Sequence, residues 1–248
     1  MFLVRLASFL GRRCQACGEA FRGGDPGGPA SSRLLCPGCR ELLAPRVAGF
    51  CPGCGLTFAD PAAEPYLCGP CRSAPRPWRN FAWHGPYEGL LGELLRAFKF
   101  NQRLGLSRLL AALAREAWER SAAQGAAGPA PDLVVPVPLH PRRLAARGYN
   151  QSLLLAQDLA RAHGLALDPA ALARVRDTPP QARLAGEERR ENIRGAFAAD
   201  PARVAGRGVL LVDDVMTTGG TLEEACQALL RAGARSADVL VLARTPRT

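Results

Sequence analysis

The chain has 248 residues, 48% of them apolar, enough for one full α/β domain and a smaller appendage. No apolar run approaches the ~18–20 residues needed to cross a bilayer, so no membrane span is expected. The formal charge of +10 is carried almost wholly by arginine, since Lys99 is the only lysine. A guanidinium fork binds phosphate bidentately, so this excess fits a phosphorylated ligand or nucleic acid. A GC-rich coding sequence accounts for Arg in place of Lys, but not for the net charge.

The opening MFLVRLASFLGRR contains an apolar stretch of signal-peptide size. Arg5 interrupts it, no small-residue cleavage site follows, and Cys14 opens a cysteine pair, so it reads as a short surface helix. The expected compartment is therefore the cytoplasm.

Eight of the nine cysteines fall between Cys14 and Cys71 as four C-x-x-C pairs: Cys14/Cys17, Cys36/Cys39, Cys51/Cys54 and Cys68/Cys71. Thiolates two residues apart can point at one metal, and the intervening Gly or Pro makes the tight turn. Two pairs complete a tetrahedral zinc site of four thiolates, which predicts one or two structural Zn2+. Sequential pairing is the simplest arrangement, interleaved pairing being the alternative. Disulfides and an iron–sulfur cluster are the competing chemistries. The first seventy-odd residues are otherwise rich in Gly and Pro with almost no helical periodicity. This module is expected over residues 1–75, ending in Ser73–Arg79, where two prolines stop regular structure. Phe50, Phe58, Tyr66, Trp78, Phe81 and Trp83 are the aromatic residues near it that could stack on bases, although some must pack the small module.

Beyond the boundary, residues 80–248 alternate strand and helix patterns, which implies a parallel sheet covered on both faces. Phe81–Gly85 reads as a short strand. Leu90, Leu91, Leu94, Leu95 and Phe98, then Leu106, Leu109, Leu110 and Leu113, recur at helical spacing. Lys99 is either a solvated helix end or an anchor for phosphate or acceptor. Ser121–Pro131 reads as a loop, Asp132–Val137 as a buried strand and Ser152–His163 as a helix. Between those last two, Val134–Ser152 carries Arg142, Arg143 and Arg147 beside stiffening prolines, either as an exposed basic loop or as a diphosphate site. Arg174–Phe197 is polar and highly charged, either a surface linker or a lid. Gly208–Val212 is a second buried strand, Leu222–Leu230 a helix and Ala237–Ala243 a closing strand. Cys226 falls at helical spacing with Leu222, Leu229 and Leu230, as a core thiol would. His84, His140 and His163 are scattered, without ligand spacing.

Val209–Thr221, VLLVDDVMTTGGT, puts an acid pair and a Thr/Gly run between strand and helix. Glycines let the backbone approach a phosphate, while Thr hydroxyls and helix-start amides satisfy its oxygens. Adjacent carboxylates repel phosphate but accept hydrogen bonds from vicinal hydroxyls, and they can support a hydrated Mg2+. Two acids capping a structural turn are the plainer alternative. The segment resembles the thirteen-residue signature for phosphoribosyl diphosphate (PRPP) in type I phosphoribosyltransferases. That resemblance implies that Asp213 and Asp214 hold the ribose hydroxyls at the catalytic centre. It also implies that Thr217, Thr218, Gly219, Gly220 and Thr221 wrap the 5′-phosphate, with Mg2+ accompanying PRPP. Arg142, Arg143 and Arg147 would then meet the diphosphate. A lid in Arg174–Phe197 would use Arg176, Thr178, Gln181, Arg183, Arg189, Arg190 and Asn192.

Taken together, the four C-x-x-C pairs, RGYNQS at Arg147–Ser152, the T-P-P-Q…R-R-E-N-I-R-G-A-F run ending at Phe197 and the acid-pair loop resemble the ComF family over nearly the whole chain. The resemblance implies a Rossmann-like type I phosphoribosyltransferase domain behind a double zinc ribbon. It further implies PRPP binding, handling of single-stranded DNA during natural transformation, and competence-machinery proteins as partners. Two other readings stand beside it: an active enzyme transferring ribose 5-phosphate to an unidentified acceptor in nucleotide metabolism, and a regulator that senses PRPP. A glutamine-using amidophosphoribosyltransferase is disfavoured, because a cysteine-pair module stands where such enzymes place a large glutaminase domain.

Overall fold

The computed structural model describes residues 12–22, 27–125, 127–177 and 193–246. The opening apolar stretch therefore lies outside the described residues, except for Arg12 and Arg13. In chain order, β1 (Arg12–Arg13) and β2 (Ala20–Phe21) pair antiparallel, and a 3-10 turn at Ala30–Arg33 precedes α1 (Pro37–Leu42). The short helix α2 is Gly69–Ser73. Both α1 and α2 start one residue after a cysteine, with Cys36 and Cys68 as extended N-caps and a proline in the first turn, where its missing N–H costs nothing.

Then come β3 (Phe81–Pro86), α3 (Gly89–Phe100), α4 (Ser107–Ala123), β4 (Leu133–Pro136), α5 (Pro141–Arg147), α6 (Gln151–His163) and β5 (Ala166–Leu167). After these, β6 (Leu172–Arg174) and β7 (Phe197–Ala199) form an antiparallel pair of their own. The chain closes with α7 (Pro201–Val204), β8 (Gly208–Met216), α8 (Gly220–Arg231) and β9 (Ser236–Arg244).

The expected parallel sheet is present: five strands in the order β3-β9-β8-β4-β5, every pairing parallel. Strands buried on both faces need apolar residues at every position, and β8 supplies Val209, Leu210, Leu211 and Val212 without a break, all fully buried. Alternation then divides them. Leu210 and Val212 pack with Leu240, Leu155 and Phe98 on one face, whereas Val209 and Leu211 pack with Val239, Leu222 and Leu229 on the other. At roughly 25 cal/mol per Å2 of apolar surface, each fully buried Leu or Val contributes about 2 kcal/mol.

The cysteine pairs are built into these same two layers. Cys14 and Cys39 join the first layer with Leu34, Leu35 and Leu43, while Cys51, Cys54, Cys68 and Cys71 join the second with Trp78, Phe81 and Trp83. Ser31 fixes the first pairs to α4, its backbone N–H and its hydroxyl both donating to Glu116, at 2.7 and 2.9 Å.

Three expectations change. The helix expected to stop before Ser121 runs on to Ala123, because Ala117 and Trp118 continue its buried face. The central strand does not stop at Val212. It runs through the acid pair to Met216, since β9 flanks it in register as far as Met216 opposite Arg244. The arginine-bearing segment after β4 contains a helix, α5, started by Pro141 and closed by Gly148 at φ 84°.

Candidate functional site

The carboxyl ends of β4 and β8 open onto a cleft of about 280 Å3, at the position where open α/β sheets hold ligands. Asp213, Asp214, Thr217, Gly219 and Thr221 line it, together with Arg143, Arg147, Arg174 and Lys99. The sequence signature and the first basic segment therefore converge on one cavity. Thr218 and Gly220 do not line it, although Thr218 Oγ1 is buried without a hydrogen-bond partner among the described residues.

The acid pair is held rigidly. Ser152 Oγ donates to Asp213 Oδ1 at 2.8 Å, and the Asp214 backbone N–H donates to the same oxygen at 2.9 Å. Lys99 Nζ lies 3.0 Å from Asp214 Oδ1. Lys99 is thus an internal partner of the acid pair, not a solvated helix end. Burial, then the neighbouring Asp214 charge, pushes the Asp213 carboxyl up to about 7, with Ser152 and Lys99 opposing the rise. Asp213 keeps partial contact with solvent, so its position at the cleft floor matters more than complete enclosure.

The phosphate loop follows directly. Gly219 sits at φ 95°, and a Cβ there would lie 2.8 Å from Met216 Cε, so the turn demands glycine. The helix α8 starts at the next residue, aiming its free N–H groups and the positive end of its dipole toward the loop.

Helical periodicity sorts the arginines of α5. Arg143 and Arg147, four residues apart, share one face and line the cleft. Arg142 does not line it: its side chain is 83% exposed and pairs with Asp177 at 3.4 Å. His140 caps α5, its side chain accepting from the Arg142 N–H.

RGYNQS acquires a physical role at nearly every position. Gly148 turns the chain in the left-handed region, and Tyr149 donates its hydroxyl to the Phe98 carbonyl. Asn150 caps α6 and donates to the Val137 carbonyl at 3.0 Å, Gln151 accepts from Arg147 at 2.8 Å, and Ser152 holds Asp213. Sequence reasoning found the motif but none of these roles.

Arg174 was also missed as a single residue. It ends β6 and lines the cleft, its guanidinium acidified by burial and then by the nearby charge of Arg143. Of the lid candidates, Arg176 is exposed and donates to the Arg194 carbonyl. Thr178, Gln181, Arg183, Arg189, Arg190 and Asn192 lie outside the described residues. The two ends of that segment meet beside the cleft: Val175 N–H donates to the Ala196 carbonyl at 2.9 Å, and Gly195 N–H to Glu224 of α8 at 3.1 Å.

The eight clustered cysteines form two four-thiol sets in sequential order, Cys14/Cys17/Cys36/Cys39 and Cys51/Cys54/Cys68/Cys71, the sulfurs of each set within 4.8 Å of one another. A tetrahedron with Zn–S arms of about 2.3 Å has edges of about 3.8 Å. Cys17 and Cys36 sulfurs lie 3.7 Å apart and Cys54 and Cys68 sulfurs 3.8 Å, so both sets fit structural zinc with every ligand position filled by protein. Cys226 is fully buried in α8, its thiol pushed up by burial, as a core residue. His84 is also buried and neutral, pushed down to about 4 by burial, with Nε2 2.8 Å from the Leu43 carbonyl. Of the aromatic candidates, Phe50, Trp78, Phe81 and Trp83 are buried in the second layer. Tyr66 is exposed and stacks on Phe58 with centroids 4.1 Å apart. Among the described residues no helix is long and apolar enough to cross a membrane.

Comparison with known proteins agrees with this fold. The family described as "Phosphoribosyl transferase domain" matches residues 150–248, from the N-cap of α6 to the chain's last residue. The chain is 40% identical over 214 residues to the DNA utilization protein YhgH of Salmonella typhi, covering 85% of this chain and 90% of that one. It is 34% identical over 212 residues to competence protein F of Haemophilus influenzae, with the same coverage of 85% and 90%. A shorter similarity, 48% over 44 residues, links 18% of the chain to 25% of an adenine phosphoribosyltransferase of Mycolicibacterium gilvum. With a type I phosphoribosyltransferase fold behind two four-cysteine centres, the chain belongs to the ComF family.

Proposed function

We propose that the protein binds PRPP in the cleft at the end of β8 and serves in the cytoplasmic handling of single-stranded DNA. The observation that carries the first half is the convergence of an acid pair, a Thr/Gly helix start and three arginines on one cavity. The 5′-phosphate sits on Thr217–Thr221 and the N-terminus of α8, the ribose hydroxyls donate to Asp213 and Asp214, and Arg143, Arg147 and Arg174 face the diphosphate. Lys99 already neutralises much of the acid pair's charge, so Asp213 and Asp214 would hold a Mg2+ ion only together with the diphosphate oxygens. Such an ion would neutralise charge on the diphosphate.

Support for the DNA half comes from the relatives' names, DNA utilization protein and competence protein F, and from charge placement. Arg12, Arg13, Arg33 and Arg108 line a depression of about 500 Å3 that has no carboxylate among its lining residues. Binding there runs through phosphates, because most candidate stacking rings are buried in the core.

Equilibrium dialysis tests both halves. One PRPP per chain is expected, dependent on Mg2+ and displaced by ribose 5-phosphate. Single-stranded DNA is expected to bind with weak sequence preference, with a salt slope that falls by about one for each phosphate-contacting arginine replaced by Gln. Pyrophosphate release, assayed with and without single-stranded DNA and with candidate acceptors, separates turnover from binding. The enzyme reading stands on the same cleft, because Arg143, Arg147 and Arg174 placed at the diphosphate also stabilise a leaving pyrophosphate.

A further inference from the structure

Arg76 belongs to neither half of the site described above, yet it touches both a cysteine centre and the helix of the phosphate loop. Its Nε lies 3.4 Å from Cys71 Sγ, and its Nη1 forms an ion pair with Glu223 Oε1. Its side chain is only 10% exposed and its guanidinium lies 5.8 Å from the Trp78 ring centroid. Both groups also stand beside the phosphate turn: a Cβ on Gly219 would be 3.6 Å from Glu223 Oε1 and 3.8 Å from Arg76 Nη1.

Glu223 is a problem for an anion site. It is the acidic residue in the first turn of α8, its own N–H donating to the Gly219 carbonyl at 2.9 Å. A carboxylate at a helix start stabilises the helix, but it competes for the same positive helix end with a phosphate arriving there. A buried guanidinium bound to that carboxylate cancels the repulsion. A metal bound by the second four-cysteine set would hold Cys71 as a thiolate, an acceptor for the Nε edge of the same guanidinium, 3.4 Å away.

We infer that Arg76 is a positioning residue that neutralises Glu223 behind the phosphate loop while anchored by the Cys71 thiolate, so that the second four-cysteine centre sets the protein's affinity for a ribose 5-phosphate group. This rests on the PRPP reading of the cleft. Metal coordination at residues 51–71 thereby reaches a loop at residues 217–221 without any cysteine touching ligand.

The test uses the full-length, zinc-loaded protein as wild type, Arg76→Met, Glu223→Gln and the double variant. PRPP and ribose 5-phosphate are titrated calorimetrically with Mg2+, the second ligand isolating the phosphate loop. Arg76→Met is expected to weaken both ligands on the order of tenfold, an unbalanced charge near a charge-assisted site costing that much. Glu223→Gln is expected to bind as tightly as wild type or severalfold tighter, and the double variant to recover most of the loss. In cobalt-substituted protein, Arg76→Met is expected to shift the thiolate-to-metal charge-transfer band and to speed loss of one of the two metals to a chelator. Arg76→Met binding ribose 5-phosphate like wild type, or Glu223→Gln failing to restore it, overturns the inference while leaving the PRPP site intact. If Arg76→Met does not fold, a weakened ribose 5-phosphate affinity in Glu223→Gln alone overturns it. A wild-type protein that binds neither ligand removes the PRPP reading itself and this inference with it.

Discussion

Ser152 Oγ donates to Asp213 Oδ1 at 2.8 Å, joining the first turn of α6 to the end of β8 across 61 residues of chain. The bond fixes the rotamer of the acid expected to accept a ribose hydroxyl and leaves less of its charge exposed to Asp214. Ser152→Ala is expected to weaken PRPP binding by about 1.5–3 kcal/mol, the range for a hydrogen bond to a charged group, with a smaller effect on melting. Calorimetric titration beside a thermal melt checks it, and equal losses in the two measurements would assign Ser152 to stability alone.

The raised pKa of Asp213 gives the site a pH dependence whose sign can be worked out. Burial and Asp214 push the carboxyl up to about 7 in the ligand-free fold, against the ordinary value of 3.8 in the unfolded chain. The group thus favours the native state most strongly below about pH 4, and this contribution is lost as pH rises through about 7. Ligand affinity moves the other way, because a hydroxyl donates better to a carboxylate than to a carboxylic acid. PRPP affinity should rise between about pH 6 and pH 8 more steeply in wild type than in Asp213→Asn, in which only the ligand's own phosphates titrate. Parallel profiles for the two proteins would contradict this.

Much of this was legible in the sequence, for definite reasons. Strands buried on both faces must be continuously apolar, so Val209–Val212 could be read directly, and C-x-x-C spacing is dictated by metal geometry. Sequence order does not encode which residues meet. Lys99 reads as a helix end because nothing nearby in the chain reveals that Asp214 will lie 3.0 Å away. Arg142, Arg143 and Arg147 look equivalent until α5 forms and its period turns Arg142 outward. The acid pair looks like loop because β8 is extended only by the register of β9 beside it. Arg174 closes a three-residue strand too short to show any period.

Lys99→Met removes the cationic partner of Asp214, which is only 6% exposed. A buried carboxylate left without its partner costs about 3 kcal/mol, which for a chain of this size is a fall in Tm of roughly 6–12 °C. Adding Asp214→Asn should return most of that stability while PRPP binding stays impaired. A single variant that melts like wild type would show that the pair contributes nothing.

The two four-cysteine sets differ in exposure, with consequences for metal removal. Cys17 of the first set is exposed, whereas all four cysteines of the second are buried against the sheet. Two zinc ions per chain are expected, released to a chromophoric chelator in a fast and a slow phase. Cys17→Ser should remove the fast phase, and Cys54→Ser the slow one along with more of the melting temperature. One ion per chain, or a single phase carrying both, would contradict the assignment.

The measurement closest to the central claim is calorimetric titration of PRPP with Mg2+ into wild type and into the Asp213→Ala/Asp214→Ala variant, each first shown to be folded by circular dichroism. Saturable binding at one PRPP per wild-type chain, lost or weakened at least a hundredfold in the variant, is the predicted result. No heat of binding in the wild type, or equal affinity in the two proteins, would contradict the account.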